Sequence, residues 1–144
     1  MDKDILNEAN VLLNQVVGTK EDGIKLAGEI LVKGGYVEPS YVATMLEREA
    51  LSTTYMGNFI AIPHGTDEAK GQVIKTGISV VQVPSGVSFG SETAKVLIGI
   101  AGKGDDHLDI LSEIAIFCSE EANVLKLVAA NSASEIVALL KGGN

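Results

Sequence analysis

His64 is the side chain in this sequence best placed to do chemistry. It stands in the run F-I-A-I-P-H-G-T, residues 59–66. The apolar stretch Phe59 to Ile62 predicts a buried strand, and Pro63, which has no N–H to give, should end its pairing. His64 follows directly, and Gly65 leaves its far side uncrowded. An imidazole is thereby set at the mouth of a strand, where ligands of α/β proteins usually meet the sheet. With an ordinary pKa near 6.5 it is largely neutral at neutral pH, and neutral imidazole is a nucleophile able to carry a transferred group covalently. That group could be phosphoryl or acyl. No serine or cysteine motif accompanies it, which speaks against a hydrolase triad. The plainer role is a turn histidine that bonds its neighbours.

Two other side chains could join it. His107, the second of two histidines, follows G-K-G-D-D and falls in the first turn of a predicted helix, where free backbone N–H groups favour anions. Asp105 and Asp106 compete for those groups as caps. Arg48 lies near the end of another predicted helix, and a guanidinium fork suits phosphate oxygens. Glu47 and Glu49 flank it, so a solvated charge run is the simpler account. The two histidines could ligate a metal with Asp67 or Glu68, but the spacing matches no metal motif. Neither a Walker loop nor G-x-G-x-x-G after a strand is present. Cys118, between Phe117 and Ser119, reads as inert core.

The elements that must position these residues follow from periodicity and punctuation. Residues 1–10 read as a loose lead-in, and Asn10 to Val17 as an unclear first strand. Thr19 to Asp22 resembles a capping box. Ile24, Leu26, Ala27, Ile30 and Leu31 then form a helical stripe that Gly34-Gly35 ends. Pro39 opens a second helix with Val42, Met45 and Leu46 inward, and residues 52–57 read as a loop into the Phe59 strand. Thr66 to Gly71 allows one helical turn. Ile78 to Val83 and Lys95 to Ala101 read as buried strands, with a turn at Pro84-Ser85-Gly86. Asp105 or Asp106 caps a long helix through Phe117. Helices at Ala122 to Ala130 and after Ser132 or Ser134 follow, and Gly142-Gly143 closes the sequence. Helices and strands interleave, as expected for a layered α/β sandwich.

Length and composition agree. The 144 residues suit a single domain over 1–144, and 46% apolar content with 16 glycines suits a folded α/β chain. The net charge of −8 disfavours nucleic acid and anionic membranes and favours a partner with a basic face. One cysteine forms no internal disulfide and no zinc framework. The first residues lack an apolar signal region, and no apolar run approaches the roughly 18 residues of a membrane span. A cytoplasmic protein is expected.

One resemblance covers nearly the whole chain. Glu49, six residues, Met56-Gly57, two residues, then Ile60 to Gly65 resembles the signature of the enzyme IIA domains of the sugar phosphotransferase system, fructose–mannitol class. Residues 32–39, 45–49, 54–57, 65–70 and 86–90 resemble the mannitol branch in particular. The resemblance implies a mixed, mostly parallel central sheet with helices on both faces. It implies that His64 accepts a phosphoryl group at Nε2 from phospho-HPr and passes it to a cysteine of a cognate IIB domain during sugar uptake. It puts the family's supporting arginine and second histidine on Arg48 and His107, with Glu68 as a secondary position. Exposed Phe, Met or Ile near His64 would form the docking surface. No cofactor, metal or nucleotide is implied, and a monomer is expected. A regulatory relative, whose phosphorylation state signals to a partner protein, shares the same fold and histidine.

Overall fold

The computed structural model describes residues 4–141. Its centre is a hairpin of two long strands, β4 (Gly77–Phe89) and β5 (Glu92–Ala101), paired antiparallel from Gly77↔Ala101 to Phe89↔Glu92. Gly90, at φ +68°, makes the tight connection. Two short strands flank the hairpin in parallel. β1 (Val11–Leu12) runs along β4, and β3 (Ile60–Ala61) runs along β5, Ile60 beside Val96 and Ala61 beside Leu97. β2 (Tyr55–Gly57) closes the edge antiparallel to β3, and the order is β1-β4-β5-β3-β2.

The expected mixed sheet is present, but it is not mostly parallel: two of its pairings are parallel and two antiparallel, the longest among the latter. The cause is local. Consecutive strands joined by a tight turn must run antiparallel, whereas a parallel neighbour needs a crossover.

Among the described residues five α-helices cover the two faces: α1 (Lys20–Lys33) and α2 (Tyr41–Leu51) on one, α3 (Asp106–Cys118), α4 (Glu121–Ala129) and α5 (Ala133–Leu140) on the other. Side chains alternate along the central strands. Val81, Val83 and Leu97 pack against Ile24, Leu31 and Met45, while Ile78, Val80, Val96, Ile98 and Ile100 pack against Ile110, Ile114, Leu127 and Ile136. Helices on both faces explain why β4 and β5 read as continuous apolar runs. The expected caps on two helices are observed: Thr19 Oγ accepts from Asp22 N at 3.1 Å, and Ser132 Oγ from Glu135 N at 3.1 Å.

Several expectations are corrected. Of the lead-in, residues 1–3 lie outside the described residues, and the rest is not loose: Leu6 is fully buried, Ile78 N donates to Ile5 O, and Asn10 donates its amide to Tyr36 Oη and Ile78 O. The first strand shrinks to Val11–Leu12. The segment read as loop before Phe59 contains β2. The strand β4 continues through Pro84-Ser85-Gly86, where a register shift and Gly86 at φ +88° absorb the proline as a bulge. The buried face of α2 is Tyr41, Met45 and Glu49, while Val42 and Leu46 are only half-buried. Asp105 occupies the N-cap position of α3 without a side-chain bond, and the Asp106 carboxylate instead accepts from Thr76 Oγ at 2.7 Å. Gly142-Gly143 lies outside the described residues. Cys118 is buried as expected, and burial pushes its thiol up to about 12.

Candidate functional site

Pro63 ends the ladder of β3 by lacking an N–H, yet its carbonyl still accepts from Ile100 N at 2.9 Å. One isolated parallel bridge, His64 to Ile100, continues the alignment. The chain after the histidine is gripped as well. Tyr41, on α2, accepts from Gly65 N at 2.8 Å and donates its hydroxyl to Ile100 O at 2.9 Å. Ile100 thus holds both neighbours of His64, Pro63 directly and Gly65 through the tyrosine. Gly65 is required by this close approach, because a Cβ there would stand 2.6 Å from Tyr41 Cε1. Burial raises the Tyr41 pKa and keeps the hydroxyl a donor.

The imidazole is fixed at its other nitrogen. Nδ1 lies 2.8 Å from Ile62 O, and a carbonyl can only accept, so Nδ1 carries the proton. A neutral ring then has its lone pair on Nε2. His107, in the first turn of α3, meets this ring edge-on, with centroids 5.1 Å apart and planes at 64°. Gly102 sets that approach: a Cβ on it would fall 2.4 Å from both Cα and Cβ of His107. The two histidines, Tyr41, Asp67, Lys70 and Leu108 line a cleft of about 190 Å³.

The structure therefore brings His64 and His107 together from distant parts of the sequence. Arg48 stands in the last turn of α2, donating Nη1 to Ser52 O at 2.7 Å and to Ser52 Oγ at 3.1 Å. It is outside the lining of the cleft, but its charge reaches His64 and opposes protonation there. Glu68 is exposed and does not join the cleft; its neighbour Asp67 does. Among the described residues, no three His, Cys, Asp or Glu side chains are grouped to hold a metal ion.

The surroundings of both rings favour the neutral form. Burial is the main cause that lowers the His64 pKa below 6.5; the bond to Ile62 opposes it, Arg48 adds to it, and Asp67 and Glu49 oppose it. Burial also leads at His107, followed by the neighbouring His64 and by Lys70, with Asp67 opposing. A group whose folded pKa lies below its unfolded one binds fewer protons when folded. Stability is then full above the unfolded value of 6.5 and falls as pH drops through it toward the folded value. Proton NMR titration of the two ring C–H signals is expected to give midpoints below 6.5, and midpoints above it would contradict this electrostatic picture.

The sequence profile described as "Phosphoenolpyruvate-dependent sugar phosphotransferase system, EIIA 2" matches residues 4–143. The chain belongs to this family. As an enzyme IIA chain it is a phosphotransferase component of that system. It is 53% identical over 141 residues to the mannitol-specific phosphotransferase enzyme IIA component of Bacillus subtilis strain 168, covering 97% of this chain and 99% of that one. Its fold superposes with a TM-score of 0.89 on the complex of enzyme IIA mannitol with phosphorylated enzyme IIB mannitol from Escherichia coli, at 44% identity over 95% of this chain and 97% of the other. The crystal structure of IIA mannitol from Escherichia coli superposes at 0.87, also at 44% identity, covering 94% and 98%.

Three structural features of this enzyme IIA site were not legible as such in the sequence. Tyr41 looks like an ordinary apolar helix residue until its hydroxyl is seen between Gly65 and Ile100. Gly102 reads only as a strand breaker until α3 is docked against it. Glu49 stands in a charge run and opens the family signature, but neither shows that it is buried, at 5% exposed. Replacing Tyr41 by phenylalanine is expected to leave Gly65 N and Ile100 O without their partner. That costs about 1–3 kcal/mol of stability, to be read as a lower urea midpoint with an unchanged slope.

Proposed function

We propose that His64 carries the phosphoryl group of this enzyme IIA component, accepting it from phospho-HPr on Nε2 and passing it to the cysteine of a cognate IIB domain. The observation that carries this is the 2.8 Å contact of Nδ1 with Ile62 O, which leaves Nε2 with its lone pair beside a cleft shared with His107. In the first step the Nε2 lone pair attacks phosphorus, a new P–N bond forms, and the donor's P–N bond breaks with its electron pair returning to the donor imidazole. In the second step a thiolate attacks phosphorus, an S–P bond forms, and Nε2 recovers its lone pair. Such transfer depends on positioning and charge stabilisation. Arg48 would offset the equatorial oxygens, and His107 would supply one further donor through a ring N–H.

Mannitol is the sugar this component serves, supported by the names of the relatives it matches. The net charge of −8 suits a donor with a basic face. Leu108, 66% exposed beside His107, and Met56, 37% exposed on β2, supply the apolar part of the contact. The chain acts as one domain over 1–144, a monomer, in the cytoplasm, where phosphoenolpyruvate is found. Among the described residues no helix is long and apolar enough to cross a membrane.

The test is incubation with phosphoenolpyruvate, enzyme I and HPr, read by intact mass and by ³¹P NMR. One acid-labile, alkali-stable phosphate on His64 Nε2 is the expected product. A folded protein that takes no phosphate, or takes it on Nδ1, would overturn the assignment.

A further inference from the structure

The carboxylate of Glu49 is buried at the end of α2, with its side chain 3% exposed. Its Oε1 accepts two bonds from Thr54, from the backbone N at 2.8 Å and from Oγ at 2.7 Å. Its Oε2 pairs with Lys20 Nζ at 3.2 Å. Burial acts to raise its pKa, but the bonds from the neighbouring threonines and Lys20 outweigh it, and the carboxyl is held below its ordinary value. So large an investment of hydrogen bonds in one buried acid fixes Thr54. What Thr54 does next is the informative part. Its carbonyl accepts from Ile62 N at 3.0 Å, and Ile62 O is the acceptor for His64 Nδ1 at 2.8 Å. A continuous series of bonds thus runs Glu49, Thr54, Ile62, His64.

The end of that series decides the chemistry. In free histidine the Nε2–H tautomer is the more populated one, and that tautomer has no lone pair on Nε2. Holding Ile62 O against Nδ1 selects the opposite tautomer. We propose that Glu49 is a positioning residue: it anchors Thr54 and, through Ile62, holds His64 in the Nδ1–H tautomer that makes Nε2 nucleophilic. The catalytic half of this statement rests on His64 being the phosphoryl carrier; the structural half does not.

The experiment is long-range ¹H–¹⁵N NMR of the His64 ring in the unphosphorylated protein, paired with the rate of phosphoryl acceptance. The variants are Glu49→Ala, Glu49→Gln, Thr54→Val and Lys20→Met. The parent and Lys20→Met are expected to show the Nδ1–H tautomer. Glu49→Ala is expected to shift His64 toward Nε2–H and to slow acceptance about 10- to 100-fold, the scale of a small misplacement near the reacting atom. Glu49→Gln, whose amide oxygen accepts the same two bonds, is expected to keep the tautomer. Should Glu49→Ala fail to fold, Thr54→Val carries the test, since it removes only the Oγ bond, and a partial shift of tautomer is expected. Unchanged tautomers in the folded alanine or valine variant would overturn the proposal even if the rate fell. A glutamine variant that loses the tautomer would overturn it too. If the parent protein accepts no phosphate, the function proposed for His64 fails, and the tautomer readout still judges Glu49 alone.

Discussion

Replacing His64 by alanine is expected to abolish phosphoryl acceptance and leave the protein folded. The two halves have separate physical reasons. The loss is complete because the attacking atom itself is removed, and no neighbour replaces it: His107 shares the cleft, but its ring sits 5.1 Å away, centroid to centroid. The fold survives because the segment around His64 is held by its backbone. Ile100 N binds Pro63 O, and Tyr41 Oη binds Gly65 N, and neither bond involves the imidazole. The side chain gives up one hydrogen bond, from Nδ1 to Ile62 O, worth about 0.5–1.5 kcal/mol. Intact mass after incubation with the donor system checks the first half, and a urea titration checks the second. A variant labelled at the parent rate would remove His64 from the mechanism.

Replacing Gly102 by alanine is expected to impair the site without touching either ring. The new Cβ would lie 2.4 Å from His107 Cα and Cβ and 2.7 Å from His107 N. These are main-chain atoms and the root of a side chain, so no rotamer change relieves the contact. The start of α3 must move instead. Overpacking of this kind costs about 1–3 kcal/mol, and an ångström-scale displacement of His107 would slow transfer by about 100-fold. The check is threefold: a lower urea midpoint, a slower rate, and a weakened nuclear Overhauser contact between the His64 and His107 rings. If Gly102→Ala matches its parent in all three, His107 is not held where the structure places it.

Parts of this molecule were legible residue by residue. Thr19 and Ser132 announce their helices because a hydroxyl at the N-cap satisfies an N–H that every helix leaves free. The apolar runs of β4 and β5 announce a sheet covered on both faces. Pro63-His64-Gly65 announces a histidine at a strand end, since a proline that cannot pair and a glycine without a Cβ restrict the backbone through local sterics alone. The parts that were misread have a cause in common. Pro84 to Gly86 has turn chemistry, but β5, which pairs with β4 before and after it, carries the strand through as a bulge. The polar residues at the start look loose, but Leu6 and Asn10 find places against β4 and Tyr36. Val42 and Leu46 have the right hydrophobicity for the inner face of α2, but the space there goes to Tyr41, Met45 and Glu49.

Local chemistry thus settled the type of most elements, the family of the chain and the identity of its candidate nucleophile, because each depends on residues close in sequence. The geometry around that nucleophile was settled by the fold. The pairing of β3 beside β5 brings Ile100 to Pro63 and His64. The docking of α2 puts Tyr41 under Gly65 and Glu49 under Thr54. The approach of α3 to Gly102 sets His107 against His64. The contacts of Ile100, Tyr41 and His107 with the segment of His64 join residues distant in sequence, and no periodicity or motif encodes a distance between segments until the shared core has packed them together.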